Sequence, residues 1–241
     1  MAQPERIAES GRHAGETPAP QRACCYPANL DLRGVPVLVV GGGEVAARKV
    51  AALLQAGAGV TVVAPEFGSQ FKRLRRRQQL RQVARRFRAS DLAGKRIVFV
   101  ATDDPVLNRR IAGAARRRGV WVNVATPGDA STLQVPAALH RGPLCIAIST
   151  GGASAGMART LRERLERFIG PEWGQFAELL EERRARVIRE VADAKRRREL
   201  LRRLATPGWA GVIRRYGARH AGRKMDALIG RAAGCRMAGA G

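Results

Sequence analysis

The chain has 241 residues, of which 45% are hydrophobic and 27% charged, and it carries a formal net charge of +24. That length allows one to two domains with a real core, which excludes wholesale disorder, and no apolar run approaches the roughly 20 residues of a membrane span. The excess of 44 basic over 20 acidic groups favours a polyanionic partner: nucleic acid, anionic lipid, or a small molecule with many carboxylates or phosphates.

Residues 1–25 lack the apolar stretch of a signal peptide and read as a disordered leader, so a cytoplasmic protein is expected. Residues 35–40, VPVLVV, form a β-branched run ending in three glycines, the pattern of a buried parallel strand. Residues 44–56 follow as a helix with Val45, the stem of Lys49, Ala52 and Leu53 on one face, closed by Gly57. Residues 60–64, VTVVA, are a second strand stopped by Pro65, completing a right-handed βαβ unit. The Arg-rich stretch 71–88 reads as a surface helix and a strand, and IVFVA at 97–101 as another buried strand. A helix over 105–118 has Asp103 or Asp104 as its N-cap and Pro105 in its first turn, and VWVNVA at 120–125 is the next strand.

Strand and helix alternate throughout this part, so an α/β fold with a Rossmann-type, doubly wound parallel sheet is expected. Residues 126–143 are mixed in texture. LCIAIS at 144–149 is a strand, with Cys145 as a core residue, and a helix follows over about 154–169 until Gly170-Pro171. Residues 173–204 read as one long amphipathic helix, followed by shorter helices near 207–216 and 221–232. The four cysteines, Cys24, Cys25, Cys145 and Cys235, show no C-x-x-C spacing, so neither a zinc site nor a disulfide framework is expected.

Gly41-Gly42-Gly43-Glu44-Val45-Ala46 fits G-x-G-x-x-A directly after a strand and at the start of a helix. In a dinucleotide site Gly41 permits the tight turn, Gly43 lets a pyrophosphate approach the backbone, and Ala46 allows close helix–strand packing. A merely tight βα turn is the alternative. Glu66, after Ala64-Pro65, stands where an acidic residue would meet the ribose hydroxyls, which favours NAD over NADP; an ordinary solvated loop residue is the other reading. Thr102, Asp103 and Asp104 end a strand where open sheets place ligands, and one aspartate doubles as a cap. Ser149, Thr150, Gly151 and Gly152 could form an anion nest or simply start a helix. His140 lies nearest the expected cleft, while His13 and His220 have no ligand-spaced partners. The Arg-rich stretches Arg73–Arg77 and Arg196–Arg203 contain almost no interleaved aromatics and read as solvated helix faces, so no nucleic-acid platform and no membrane attachment are expected.

The order of these segments is specific. Tyr26-Pro27-Ala28-Asn29-Leu30, VLVVGGGEVAARKVAALLQAGAGVTVVAPE, FVATDDPVLN, WVNV and LCIAISTGGASAGMARTLRERLE resemble the dehydrogenase/ferrochelatase module of siroheme synthase, the precorrin-2 dehydrogenase family, over roughly residues 26–230. The resemblance implies a stand-alone form that oxidises precorrin-2 to sirohydrochlorin with NAD, with ferrous iron insertion as a further activity. It implies an NAD-binding Rossmann domain at 26–135, a dimerisation region at 136–170, a helical domain at 171–232 and a flexible tail at 233–241, in a homodimer. The family's NAD contacts carry over to Glu44, Val45, Pro65 and Glu66, beside Gly41 and Gly43 of the glycine motif. Read from their place at strand ends, Thr102 and Asp103 are expected to line the same pocket and Ser149, Thr150 and Gly151 to hold substrate carboxylates. The family's aspartate after the Asn-Val pair falls on Thr126 here. Asp129, three residues on, and His140 are the candidates for the missing base, because a threonine hydroxyl cannot act as a general base near neutral pH. That departure also leaves room for a non-enzymatic protein that senses NAD or a tetrapyrrole.

Overall fold

A computed structural model describes residues 25–74, 79–125 and 130–234. The leader, apart from Cys25, lies outside the described residues, and so does the tail beyond Gly234. Residues 25–30 carry no helix or strand, and the chain from Asp31 onward forms a compact unit of its own.

Five strands make a parallel sheet: β1 (Pro36–Val40), β2 (Gly59–Ala64), β3 (Leu80–Ala84), β4 (Ile97–Val100) and β5 (Trp121–Val124), in the order β3-β2-β1-β4-β5. The chain runs outward from β1 through β2 to β3, then returns to the other side of β1. Strand order therefore reverses between β1 and β4, the point where open α/β sheets form a ligand crevice. The two-residue period of a strand explains the valine-rich runs. Val37, Val39, Val60, Val62, Ile97 and Phe99 face one helix layer, while Leu38, Val40, Val63, Val98, Val100 and Val122 face the other. Helix α1 (Glu44–Gln55) covers the first face, α2 (Phe71–Leu74) adds the buried Phe71 to it, and α3 (Pro105–Arg117) covers the second.

The buried face of α1 differs from the expected one. Ala46, Ala47, Val50 and Leu53 are buried, whereas Val45 is 40% exposed and Ala52 lies outward. Two alanines bring the helix close to the sheet, and a reading that favours the most apolar residue in the first turn misses that rotation. Gly57 closes α1 at φ +80°, as expected.

Beyond β5 the chain doubles back along the free edge of that strand. The amides of Thr132 and Leu133 donate to the Val122 carbonyl at 2.8 and 3.0 Å, while the hydroxyls of Thr132 and Ser131 accept from Val122 N and Val124 N at 3.0 and 2.9 Å. Short hydroxyl side chains thus satisfy an edge that would otherwise be open. The described part of the segment 126–143, residues 130–143, is also less irregular than its composition suggests: β6 (Ala137–Arg141) pairs antiparallel with β7 (Leu144–Ile148) around Gly142, whose φ is +52°. In β7 the residues alternate, with Leu144, Ile146 and Ile148 half-buried and Cys145 and Ala147 exposed. Cys145 is therefore not a core residue, because a two-stranded hairpin here has only one covered face.

Helix α4 (Ala155–Phe168) packs against this hairpin. The expected long helix over 173–204 is two helices, α5 (Pro171–Glu190) and α6 (Ala194–Leu204). Val191 is buried and extended, and Asp193 caps α6 by accepting from Arg196 N at 2.7 Å. The break folds α6 back, so that Leu200 and Leu204 join Phe176, Val187, Ile213, Met225 and Ile229 in one core with α7 (Gly208–Tyr216) and α8 (Ala218–Gly234). Glu172 at the start of α5 is nearly buried and pairs with Arg214 of α7. Among the described residues no helix is long and apolar enough to cross a membrane.

Candidate functional site

The carboxyl ends of β1, β2 and β4 bring together Gly41–Val45, Pro65–Glu66 and Thr102–Asp103. Gly41 is held at φ +128°, its amide donates to Val63 O at 3.0 Å, and an added Cβ would run into the Ala101 carbonyl oxygen. Only glycine fits there. Gly42, which the G-x-G-x-x-A pattern leaves unspecified, is equally constrained. Its Cβ would meet the Glu66 carbonyl oxygen, and its own carbonyl accepts from Gly68 N at 2.9 Å. The turn is therefore clamped between the loops after β2 and β4.

Gly43 differs from both. Nothing lies within 4 Å of the place its Cβ would occupy, and it is the N-cap of α1 without any side-chain cap. The first intrahelical bond runs from Ala47 N to Gly43 O at 3.0 Å, which leaves the first-turn amides of Glu44, Val45 and Ala46 at a positive helix end beside open space. This arrangement fits a pyrophosphate: a clamped turn, a cleared approach and uncommitted amides. Pro65 and Glu66 are exposed at the end of β2, within reach of the same rim.

At the end of β4 the two aspartates divide. Asp104 is the cap of α3, accepting from Val106 N and Leu107 N at 2.8 and 3.0 Å, and Asp103 is exposed. The Thr102 hydroxyl donates to Asn108 Oδ1 at 2.5 Å, while Asn108 Nδ2 donates back to Thr102 O at 3.0 Å. Thr102 thereby fixes the turn that presents Asp103.

Lys49, whose stem the sequence places on the packing face of α1, also reaches this region with its ammonium. Lys49 Nζ donates to Asn123 Oδ1 at 2.8 Å and lies 5.2 Å from the centre of the Phe99 ring. Burial, and secondarily the neighbouring Arg48, hold its pKa below the usual lysine value. Its spacing from the glycines was the available signal: five residues after Glu44, it lies on the side of α1 that points along the sheet toward β5.

Ser149, Thr150 and Gly151 sit on the turn between β7 and α4, where a Cβ on the next residue, Gly152, would come 3.5 Å from Gln134 Nε2. Much of their polar capacity is used internally. Gly151 N donates to Ser149 Oγ at 3.2 Å, Ser154 N to Thr150 Oγ1 at 3.1 Å, and Ala153 N to Thr150 O at 3.0 Å. Ser154 then caps α4 through Met157 N at 3.1 Å. His140 is exposed on β6 opposite Cys145. His220 lies against the Tyr216 ring at 5.1 Å, and His13 is outside the described residues. Thr126 and Asp129 are also outside them. Among the described residues no group of three or more His, Cys, Asp or Glu side chains is placed to hold a metal ion.

Comparison with known proteins matches residues 28–137 to a family model described as putative NAD(P)-binding and residues 141–167 to one described as sirohaem biosynthesis protein central. The chain is 42% identical over 177 residues to a siroheme synthase of Methylococcus capsulatus, which covers 73% of this chain and 37% of that protein. It is 42% identical over 171 residues to the siroheme synthase of Thiobacillus denitrificans, covering 71% and 36%. The chain thus spans little more than a third of the length of these relatives. A solved structure described as SirC, precorrin-2 dehydrogenase, superposes with a TM-score of 0.72 at 30% identity, covering 84% of this chain and 100% of that one.

Proposed function

The chain belongs to the siroheme synthase and precorrin-2 dehydrogenase family, and from that premise we propose that it oxidises precorrin-2 to sirohydrochlorin with NAD. NAD supplies the hydride acceptor: the substrate loses a hydride to it and a proton to solvent, giving NADH and the oxidised macrocycle. The observation that carries this reading is the glycine turn, where Gly41 and Gly42 are sterically obligatory and Gly43 opens onto free space. The amides from Glu44 to Ala46 would bind the pyrophosphate. Glu66 would accept from the ribose hydroxyls, with Pro65 shaping the adenosine side, and Thr102 and Asp103 would border the nicotinamide. These groups position the cofactor; the chemistry gains from orientation and from exclusion of water.

Ser149, Thr150 and Gly151 are proposed to contact the substrate's carboxylates, with Gly152 and nearby arginines. A homodimer is part of the same proposal. It is supported by the exposed large apolar side chains of α4, with Met157 58%, Leu161 37% and Phe168 71% exposed. Ferrous iron as a second substrate would require a base for the pyrrole protons, for which Asp129 and His140 are the candidates. A cytoplasmic setting follows from the use of NAD. An anaerobic assay with precorrin-2 and NAD tests the main reading: sirohydrochlorin and NADH should appear in equal amounts, and the absence of NADH with folded, NAD-binding protein would sink it.

A further inference from the structure

Lys49 is a cation held beside the proposed cofactor site with no carboxylate paired to it among the described residues. It follows Glu44 by five residues, about 7.5 Å down the axis of α1 from the helix end that faces the pyrophosphate. Its side chain crosses β4, covers the Phe99 ring and ends on Asn123 of β5. Asn123 is 8% exposed, and its Nδ2 donates to Leu133 O at 3.0 Å, so its amide is fixed in orientation. Asn123 is in register with Phe99 and Phe99 with Val39, which stands two residues before Gly41. The ammonium is therefore held roughly 3–7 Å below the carboxyl rim of the sheet, over β4 and β5.

A pure tether between α1 and β5 would not need a charge. A neutral donor would reach Asn123 without the desolvation cost of an ammonium. Among the described residues the ion pairs formed by other cations include none with Lys49, and the charge that bears on it, Arg48, has the same sign. An ammonium has three donors, and among the described residues one of them is engaged, by a neutral amide oxygen. Lys49 remains only half-buried, so an anion entering over β4 and β5 can reach it.

We propose that Lys49 binds a carboxylate of the tetrapyrrole substrate and so sets the face of the macrocycle against the nicotinamide position. This rests on the dehydrogenase reading above. The cofactor's phosphates are the less suitable anions, because the first-turn amides would hold them at the helix end and the Lys49 side chain runs sideways over β4 to Asn123 of β5.

The test uses the full-length protein and uroporphyrin, a stable fluorescent polycarboxylate of the same macrocycle class, followed by fluorescence quenching. Lys49→Gln keeps a donor and removes the charge. It should weaken uroporphyrin binding on the order of 10- to 100-fold, the range of one charge-assisted hydrogen bond. Lys49→Arg should keep most of the affinity, and NAD affinity should be unchanged in both variants. With precorrin-2 as substrate, Lys49→Gln should raise its KM far more than it lowers kcat, without lowering the melting temperature. A structural tether predicts the reverse: a lower melting temperature and unaltered KM. Wild-type affinity for uroporphyrin in Lys49→Gln, or a parallel loss of NAD affinity, overturns the assignment. If wild type fails to reduce NAD yet Lys49→Gln still weakens uroporphyrin, the dehydrogenase reading falls and the carboxylate site stands. If wild type turns over and Lys49→Gln leaves precorrin-2 KM unchanged, the carboxylate site falls alone.

Discussion

Gly43→Asp should make the protein slightly more stable while abolishing its affinity for NAD. Gly43 occupies the N-cap of α1 at φ −83° and ψ −173°, an extended conformation open to any residue, and its Cβ position is clear to 4 Å. Aspartate is among the best N-cap residues, and a glycine cap is weaker by a few tenths of a kcal/mol. Its charge at the positive helix end adds about 0.3–1 kcal/mol. A gain of roughly 1 kcal/mol would raise Tm by about 2–4 °C in a chain of this size. The same carboxylate would occupy the first-turn amides and stand about 4 Å from a bound phosphate. At an effective dielectric of about 20 that repulsion is about 4 kcal/mol per charge pair, roughly a thousandfold in Kd. Calorimetric titration with NAD and a thermal melt, run on the same preparation, separate the two effects. Unchanged NAD affinity would refute the assignment of the loop. Lost affinity together with a lower Tm would refute the capping argument, since the loss would then reflect misfolding.

Gly41→Ala should behave in the opposite way, because φ +128° and the Ala101 carbonyl leave no room: a loss of about 3 kcal/mol or more in a chemical melt, with NAD binding lost in parallel. Glu172→Gln should cost about 1 kcal/mol at neutral pH, a small figure because the Arg214 side chain is 66% exposed. The Arg214 hydrogen bond holds the Glu172 carboxyl below its usual pKa, so its stabilisation is complete above about pH 4.3 and disappears as pH falls through the folded value; the variant should show a flatter acid limb in its pH–stability curve. Light scattering should give a dimer, and Met157→Glu with Phe168→Glu should give a monomer that still binds NAD. If chelation is limited by the residue at 126, Thr126→Asp should raise the rate of ferrous iron insertion by on the order of 10²–10⁴-fold, and Asp129→Asn should lower whatever insertion wild type shows.

The Rossmann half was legible in the sequence because its signals are local. A buried parallel strand needs a run such as VPVLVV, and a turn that clears a phosphate needs glycine at fixed places, so composition and spacing carried both. What the sequence hid depended on partners far along the chain. Whether Cys145 is covered is decided by the single layer behind the β6–β7 hairpin, and LCIAI alone cannot reveal how many layers there are. The break at Val191–Asp193 is invisible to periodicity, since apolar residues continue on both sides of it. It is dictated by the gain from burying Leu200 and Leu204 against α5 and α8.

The same distinction separates the residues of the candidate site. Gly41, Gly43 and Glu66 act through backbone shape or position, which a motif records. Gly42 escaped because its constraint is a carbonyl on the loop after β2, 24 residues away. Lys49 escaped because its meaning lies in Asn123, 74 residues on, and in the lack of a paired carboxylate among the described residues. The net charge of +24 pointed to a polyanionic partner without saying where one would bind. Many of the arginines on α4, α5 and α7 are matched by Glu163, Glu166, Glu172, Glu190 or Asp226, or lie fully in water, where a charge costs nothing to keep. A cation that is partly desolvated and unmatched does cost free energy in the empty protein, and binding an anion there recovers that cost. For locating a carboxylate ligand on a surface this basic, the unmatched half-buried lysine is therefore more informative than the total charge.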